Sequence, residues 1–162
     1  MTEKRIPRFV PNRRWVWKTA IAGLCGMAAH WTLMYFKSRS GLLPTFNPYA
    51  SFQGMLSRAT GEAVGPLVPW ALSFLNGFIV ISLVFRLVYR RLPGGNGGIK
   101  GIVYGFLGWG MMNVIFFPLL GLGVFATNTG LGVWPALFSL AMVQTYSIVM
   151  GLVYDALNER FG

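Results

Sequence analysis

Residues 101–154 contain no Asp, Glu, Lys or Arg, and nothing else in the chain restricts its fold so tightly. One membrane-crossing helix needs about 20 apolar residues, so this stretch is too long for a single crossing and too apolar for a loop in water. It must fold back on itself. Ala126-Thr127-Asn128-Thr129-Gly130 is its only polar, turn-forming segment and marks the expected reversal. Two shorter charge-free stretches that are also strongly apolar, 19–36 and 63–85, precede it. The expected fold is therefore an all-α membrane protein with four transmembrane helices, at about 15–36, 67–88, 101–122 and 133–154. These form one domain, 15–162, behind a basic N-terminal arm, 1–14.

Only 11% of the residues are charged and 54% are hydrophobic, whereas a soluble domain carries about 25% charged residues. A chain of 162 residues has too much surface to hide that much apolar material from water. The net charge of +10 is not a nucleic-acid footprint, because the cations cluster at the edges of apolar runs rather than on one face. They read as topology signals. Lys4, Arg5, Arg8, Arg13, Arg14 and Lys18 precede or open the first span, Arg86, Arg90, Arg91 and Lys100 flank the second loop, and Arg160 lies near the C-terminus. The first loop holds only Lys37, Arg39 and Arg58, and the third holds none. Both termini are expected on the cytoplasmic side. Arg13-Arg14 resembles an export signal, but the first apolar stretch runs on to Phe36 and three more spans follow, so an uncleaved helix is expected. Arg5, Arg8, Arg13, Arg14 and Lys18 are the expected contacts to anionic lipid or to a partner.

In the first outer loop, Asn47-Pro48 suits an N-cap and first helical residue. Tyr49, Phe52, Met55, Leu56 and Ala59 would share one arc of the following turns, which predicts a short amphipathic helix on the membrane surface.

The spans themselves read as a duplication. Lys18-x4-Gly23-x2-Gly26 repeats as Lys100-x4-Gly105-x2-Gly108, and Phe78 to Phe85 aligns with Ser147 to Tyr154. Two copies of one helical hairpin follow. Small residues let backbones approach closely in lipid, so Gly23, Gly26, Gly105 and Gly108 predict contact between the first and third helices. Pro118, followed by Gly121 and Gly123, predicts that the third helix kinks or ends early. The duplication also places Arg86 and Asp155 at equivalent helix ends. Arg86 suits a helix C-terminus and Asp155 does not, which predicts that the second and fourth helices meet there with Arg86 paired to Asp155.

Each span holds one strongly polar residue: His30, Asn76, Asn113 and Gln144. Counted from the span ends they fall in one layer, serving either as interhelical hydrogen-bond glue or as the lining of a small polar cavity. His30, the only histidine, admits a haem reading in which the second axial ligand is a methionine such as Met34 or Met112. No metal site and no catalytic residues are expected. Of the four acidic residues, Glu3, Glu62, Asp155 and Glu159, none lies within a span beside a second acid or base. The glycine-rich Pro93 to Gly98 lacks the following Lys-Ser/Thr pair of a phosphate loop. Cys25 is the single cysteine and reads as a buried, inert thiol.

The run from Lys18 to Gly26, Phe46-Asn47-Pro48 with Met55-Leu56, and the closing Met150-Gly151-Leu152-Val153-Tyr154 resemble a bacterial family of uncharacterised four-helix inner-membrane proteins. The resemblance implies a bacterial inner-membrane location and carries no activity or site. The arm from Lys4 to Arg14 is longer than that pattern needs, which leaves room for a partner-specific role. The expected function is non-catalytic, an accessory or structural subunit packed beside other membrane proteins. The alternatives are a small transporter or channel using the polar layer and an electron-transfer subunit holding haem through His30.

Overall fold

The computed structural model describes residues 14–161, with only the backbone of Arg14. Arg5, Arg8 and Arg13 lie outside the described residues. The described chain is all helix, without a strand. In chain order come α1 (Arg14–Ser40), α2 (Pro48–Thr60), α3 (Leu67–Val88), α4 (Gly97–Leu119), a short 3₁₀ segment (Val124–Thr129) and α5 (Trp134–Phe161). Three of these, α3, α4 and α5, are long and apolar enough to cross a membrane. The 27 residues of α1 give it the length, but His30, Thr32 and Tyr35 dilute its apolarity.

The helix ends depart from the sequence expectation in ways that matter below. Asn96 caps α4 by accepting the Ile99 N–H through its side chain, at 2.9 Å, so α4 begins at Gly97 rather than Gly101. It ends at Leu119, after Pro118 and before Gly121 and Gly123 at positive φ. Helix α5 runs on to Phe161, well past Tyr154. The predicted loop helix is present as α2. Asn47 accepts the Ala50 N–H at 3.2 Å, Pro48 opens the helix, and Gly61 closes it at φ 74°. Its aromatic residues also meet the bundle: Tyr49 stacks on Trp70 with centroids 3.8 Å apart, and Phe52 stands edge-on to Phe116.

Helix α5 is the hub. α1 packs along one of its faces and α4 along another, while α3 packs on α1. The expected contact between the first and third helices is therefore not formed. The small residues face elsewhere, because α5 takes the place between them. Gly26 lies under Tyr146 of α5, and Gly23 faces Ser82 and the Phe78 carbonyl of α3. Gly105 faces the Gln144 amide, and Gly108 only reaches Val143. The tightest approach lies elsewhere on α4. Gly97 and Gly151 meet backbone to backbone, and Gly101 rests on the Ser147 carbonyl. Under the duplication, Gly105 should face Ser147 as Gly23 faces Phe78. Gly101 does so instead, so the two hairpins differ by about one helical turn, ~6 Å.

Both α3 and α4 widen to π-helical turns in mid-course, at Asn76–Ile81 and Met112–Phe116. Such turns leave backbone groups that need partners from elsewhere. In α3, the Gly77 carbonyl accepts the Tyr146 hydroxyl at 2.6 Å, and the Ile81 carbonyl accepts that of Tyr104 at 2.8 Å. These two bonds join α3 to α5 and α4. Below them, Phe85 is buried with Tyr89, Tyr104 and Tyr154 edge-on around it. A second apolar core, around Phe46, Phe117 and Ala126, closes the opposite end.

Candidate functional site

The four polar residues expected in one layer are distributed to separate places. Asn113 is fully buried, and its amide donates to the Trp109 carbonyl of its own helix at 2.8 Å. The Trp109 indole in turn donates to Ala136 O at 3.0 Å and Ser139 Oγ at 3.2 Å across the α4–α5 seam. Gln144 lies farther along that seam, where its amide donates to Ile102 O at 3.2 Å. His30 sits between α1 and α5 against the Met142 backbone. Asn76 faces outward from the bundle and is exposed. The layer fails because the helices do not end level. Ile102, which Gln144 reaches, is eleven residues before Asn113, so the two amides stand about 16 Å apart along α4. Oδ1 of Asn113 and Oε1 of Gln144 are buried without partners among the described residues, yet they do not converge on one cavity.

A denser polar cluster lies where α1 begins and α5 ends, hereafter the terminal end. As expected, α3 and α5 meet there, with the Tyr89 and Tyr154 rings 4.9 Å apart. The predicted partner of Asp155 is corrected. Its carboxylate accepts the Tyr89 hydroxyl and, at 2.6 Å, the Gly97 N–H. Arg86 is not paired with it. Because α5 continues six residues past Asp155, the carboxylate is outside the last turn of its own helix, and it sits at the N-terminus of α4, where the dipole favours it. Burial, reinforced by the Asp155 carboxylate, pushes the Tyr89 phenol up and keeps it a donor. The Lys100 ammonium lies over the Tyr89 ring at 4.0 Å. The Arg86 guanidinium instead lies 5.7 Å from the Trp15 ring centre, and its Nε is buried without a partner.

Lys18, expected to touch lipid or a partner, is only 5% exposed. Its ammonium donates to the Phe161 carbonyl at 3.0 Å and to Asn158 Oδ1 at 3.3 Å. It closes the C-terminal turn of α5, where unsatisfied carbonyls and the helix dipole favour a cation. A long helix ending at Phe161 instead of Tyr154 brings those carbonyls within its reach, and that length was not legible from the apolar run alone.

At the opposite end, α1 and α3 splay above the contact between Trp31 and Phe74. They leave an open groove of about 1040 Å³ lined by Trp31, Tyr35, Tyr49, Trp70 and Phe74. Among the described residues no three His, Cys, Asp or Glu side chains gather in one place. The polar contacts that organise the bundle come from Tyr89, Tyr104, Trp109 and Tyr146, none of which was singled out as a site from sequence. The available signal was a hydroxyl or indole N–H inside an apolar span, which needs an acceptor when buried.

A family model described as a family of unknown function (DUF6789) matches residues 14–161. No curated protein and no solved structure matches the chain.

Proposed function

Since the chain belongs to DUF6789, a family of unknown function, we propose that it is an integral protein of a bacterial inner membrane that acts without catalysis, as a packing subunit beside other membrane proteins. In this reading α1, α3, α4 and α5 all cross the bilayer as two hairpins, with both termini cytoplasmic. The arm 1–14 rests on anionic lipid there, and α2 lies at the outer surface.

The observation that carries the proposal is Asn76. It is exposed, some 13–14 Å from the start of α3, on a helix face that also presents exposed Leu72, Leu75, Ile79 and Val80. An amide facing lipid near the middle of a span is unfavourable, and one facing another helix is a hydrogen-bonding anchor. The other three polar residues lie within the bundle, at helix seams or against their own backbone. That arrangement weighs against a shared water path and hence against the transporter reading.

The test is the size of the assembly extracted from native membranes in mild detergent. The wild-type chain is expected in a particle larger than the monomer, and Asn76→Leu is expected to release it as a monomer with unchanged thermal stability. A wild-type monomer, or an Asn76→Leu chain still in the larger particle, overturns the proposal.

A further inference from the structure

Arg86 is a charged group with unfilled hydrogen-bonding capacity. Its Nε is buried without a partner among the described residues. The carboxylate expected to pair with it, Asp155, accepts hydrogen bonds from Tyr89 and Gly97 instead. A guanidinium N–H withdrawn from water without an acceptor is disfavoured. The surrounding terminal end supplies more cations, from Arg90 and Arg91 in the following turn to Lys100.

Several groups around Arg86 suit a lipid headgroup. Trp15 of α1 lies within cation–π range of the guanidinium. Arg90, exposed in the turn that follows α3, lies four residues along the chain from Arg86 and adds a second guanidinium to the same helix end. Toward the bilayer centre the same helix presents exposed Leu83, which suits contact with an acyl chain. A planar fork of N–H donors matches phosphate oxygens two at a time, and an interfacial indole sits at headgroup depth.

We propose that Arg86, with Trp15 and Arg90, holds the phosphate of one anionic phospholipid from the leaflet at the terminal end. The inference rests on the membrane reading above and deepens it from general surface attraction to one site.

The test is native mass spectrometry of the full-length chain released from bilayers of phosphatidylglycerol and phosphatidylcholine. Wild type is expected to retain one phosphatidylglycerol in preference to phosphatidylcholine. Arg86→Gln is expected to weaken that retention tenfold or more, about 1.4 kcal/mol or above. Arg86→Lys, which keeps the charge but not the fork, should weaken it less, and Arg91→Gln should leave it unchanged. Thermal melts run alongside separate lost binding from lost folding, and Arg90→Gln gives a second, milder reading of the same site. Equal retention in Arg86→Gln and Arg91→Gln overturns the site, as does equal retention of phosphatidylcholine. Displacement by millimolar inorganic phosphate would identify a free-anion site and overturn the lipid assignment. If alkaline carbonate strips the chain from membranes, the membrane reading itself fails, an outcome distinct from an integral protein without lipid preference.

Discussion

Replacing Gly101 with alanine tests the seam on which the bundle depends. The added Cβ would press into the Ser147 carbonyl and stand 2.9 Å from Ile148 Cα and 3.0 Å from the Ser147 carbonyl carbon. All three are backbone atoms of a helix, so no rotamer change relieves the overlap. Ordinary carbon contacts lie at about 3.5–4.0 Å, which requires α4 and α5 to separate by close to an ångström at this point. The same movement disturbs the neighbouring contact of Gly97 with Gly151. Overpacking of this kind costs about 1–3 kcal/mol, and the rigid neighbours place Gly101→Ala toward the upper part of that range. The internal control is Gly108→Ala, whose Cβ would meet only Val143 Cγ1 at 3.8 Å, an ordinary contact. That variant should be neutral or slightly stabilising, because alanine favours helix over glycine by up to about 1 kcal/mol. Reversible unfolding in mixed micelles, followed by circular dichroism, should show an unfolding constant raised about 30-fold or more by Gly101→Ala and not by Gly108→Ala. Equal stability of the two variants would refute the close approach of α4 and α5.

Asp155→Ala leaves both the Tyr89 hydroxyl and the Gly97 N–H without their acceptor, and should cost about 2 kcal/mol in thermal unfolding. Tyr89→Phe alone should cost about 1 kcal/mol, and the double variant should be little worse than Asp155→Ala; full additivity would show that the two residues act separately. Lys18→Met removes the cation that closes α5, so hydrogen exchange over residues 158–161 should quicken about fivefold, matching about 1 kcal/mol for a charge at a helix terminus. Unchanged exchange would show that Lys18 does not hold that turn.

What was legible from sequence follows one rule: features set by local chemistry could be read, and features set by a neighbour could not. The reversal near residue 130, the capped helix after Asn47 and the end of α4 after Pro118 depend on a few adjacent residues, and each is found where those residues point. The pairing of helices did not follow. Gly23, Gly26 and Gly105 correctly mark places of close approach, but a small face does not say which helix fills it, and α5 stands where contact of the first and third helices was expected. The polar layer failed for a related reason. Heights counted from apolar boundaries assume that helices end together, whereas α4 starts four residues earlier and α5 continues seven residues further than the apolar run suggests. The same extension explains Lys18, which reads as an exposed charge until the last turn of α5 is in place. From sequence Asp155 points to Arg86, because a backbone N–H on α4 carries no signature in side-chain chemistry.

The packing of α1 on α5 sets an order of events during synthesis. Among the described helices, the one made first finds its main partner in the one made last. Until α5 has been made, Gly26 lacks Tyr146 and Lys18 lacks the carbonyl of Phe161. The glycine-lined side of α4 waits for the same helix. Until then the nascent chain offers unfinished surfaces to insertion factors and proteases. Its escape from quality control waits on α5, so a chain cut short within that helix should be degraded faster than the wild type.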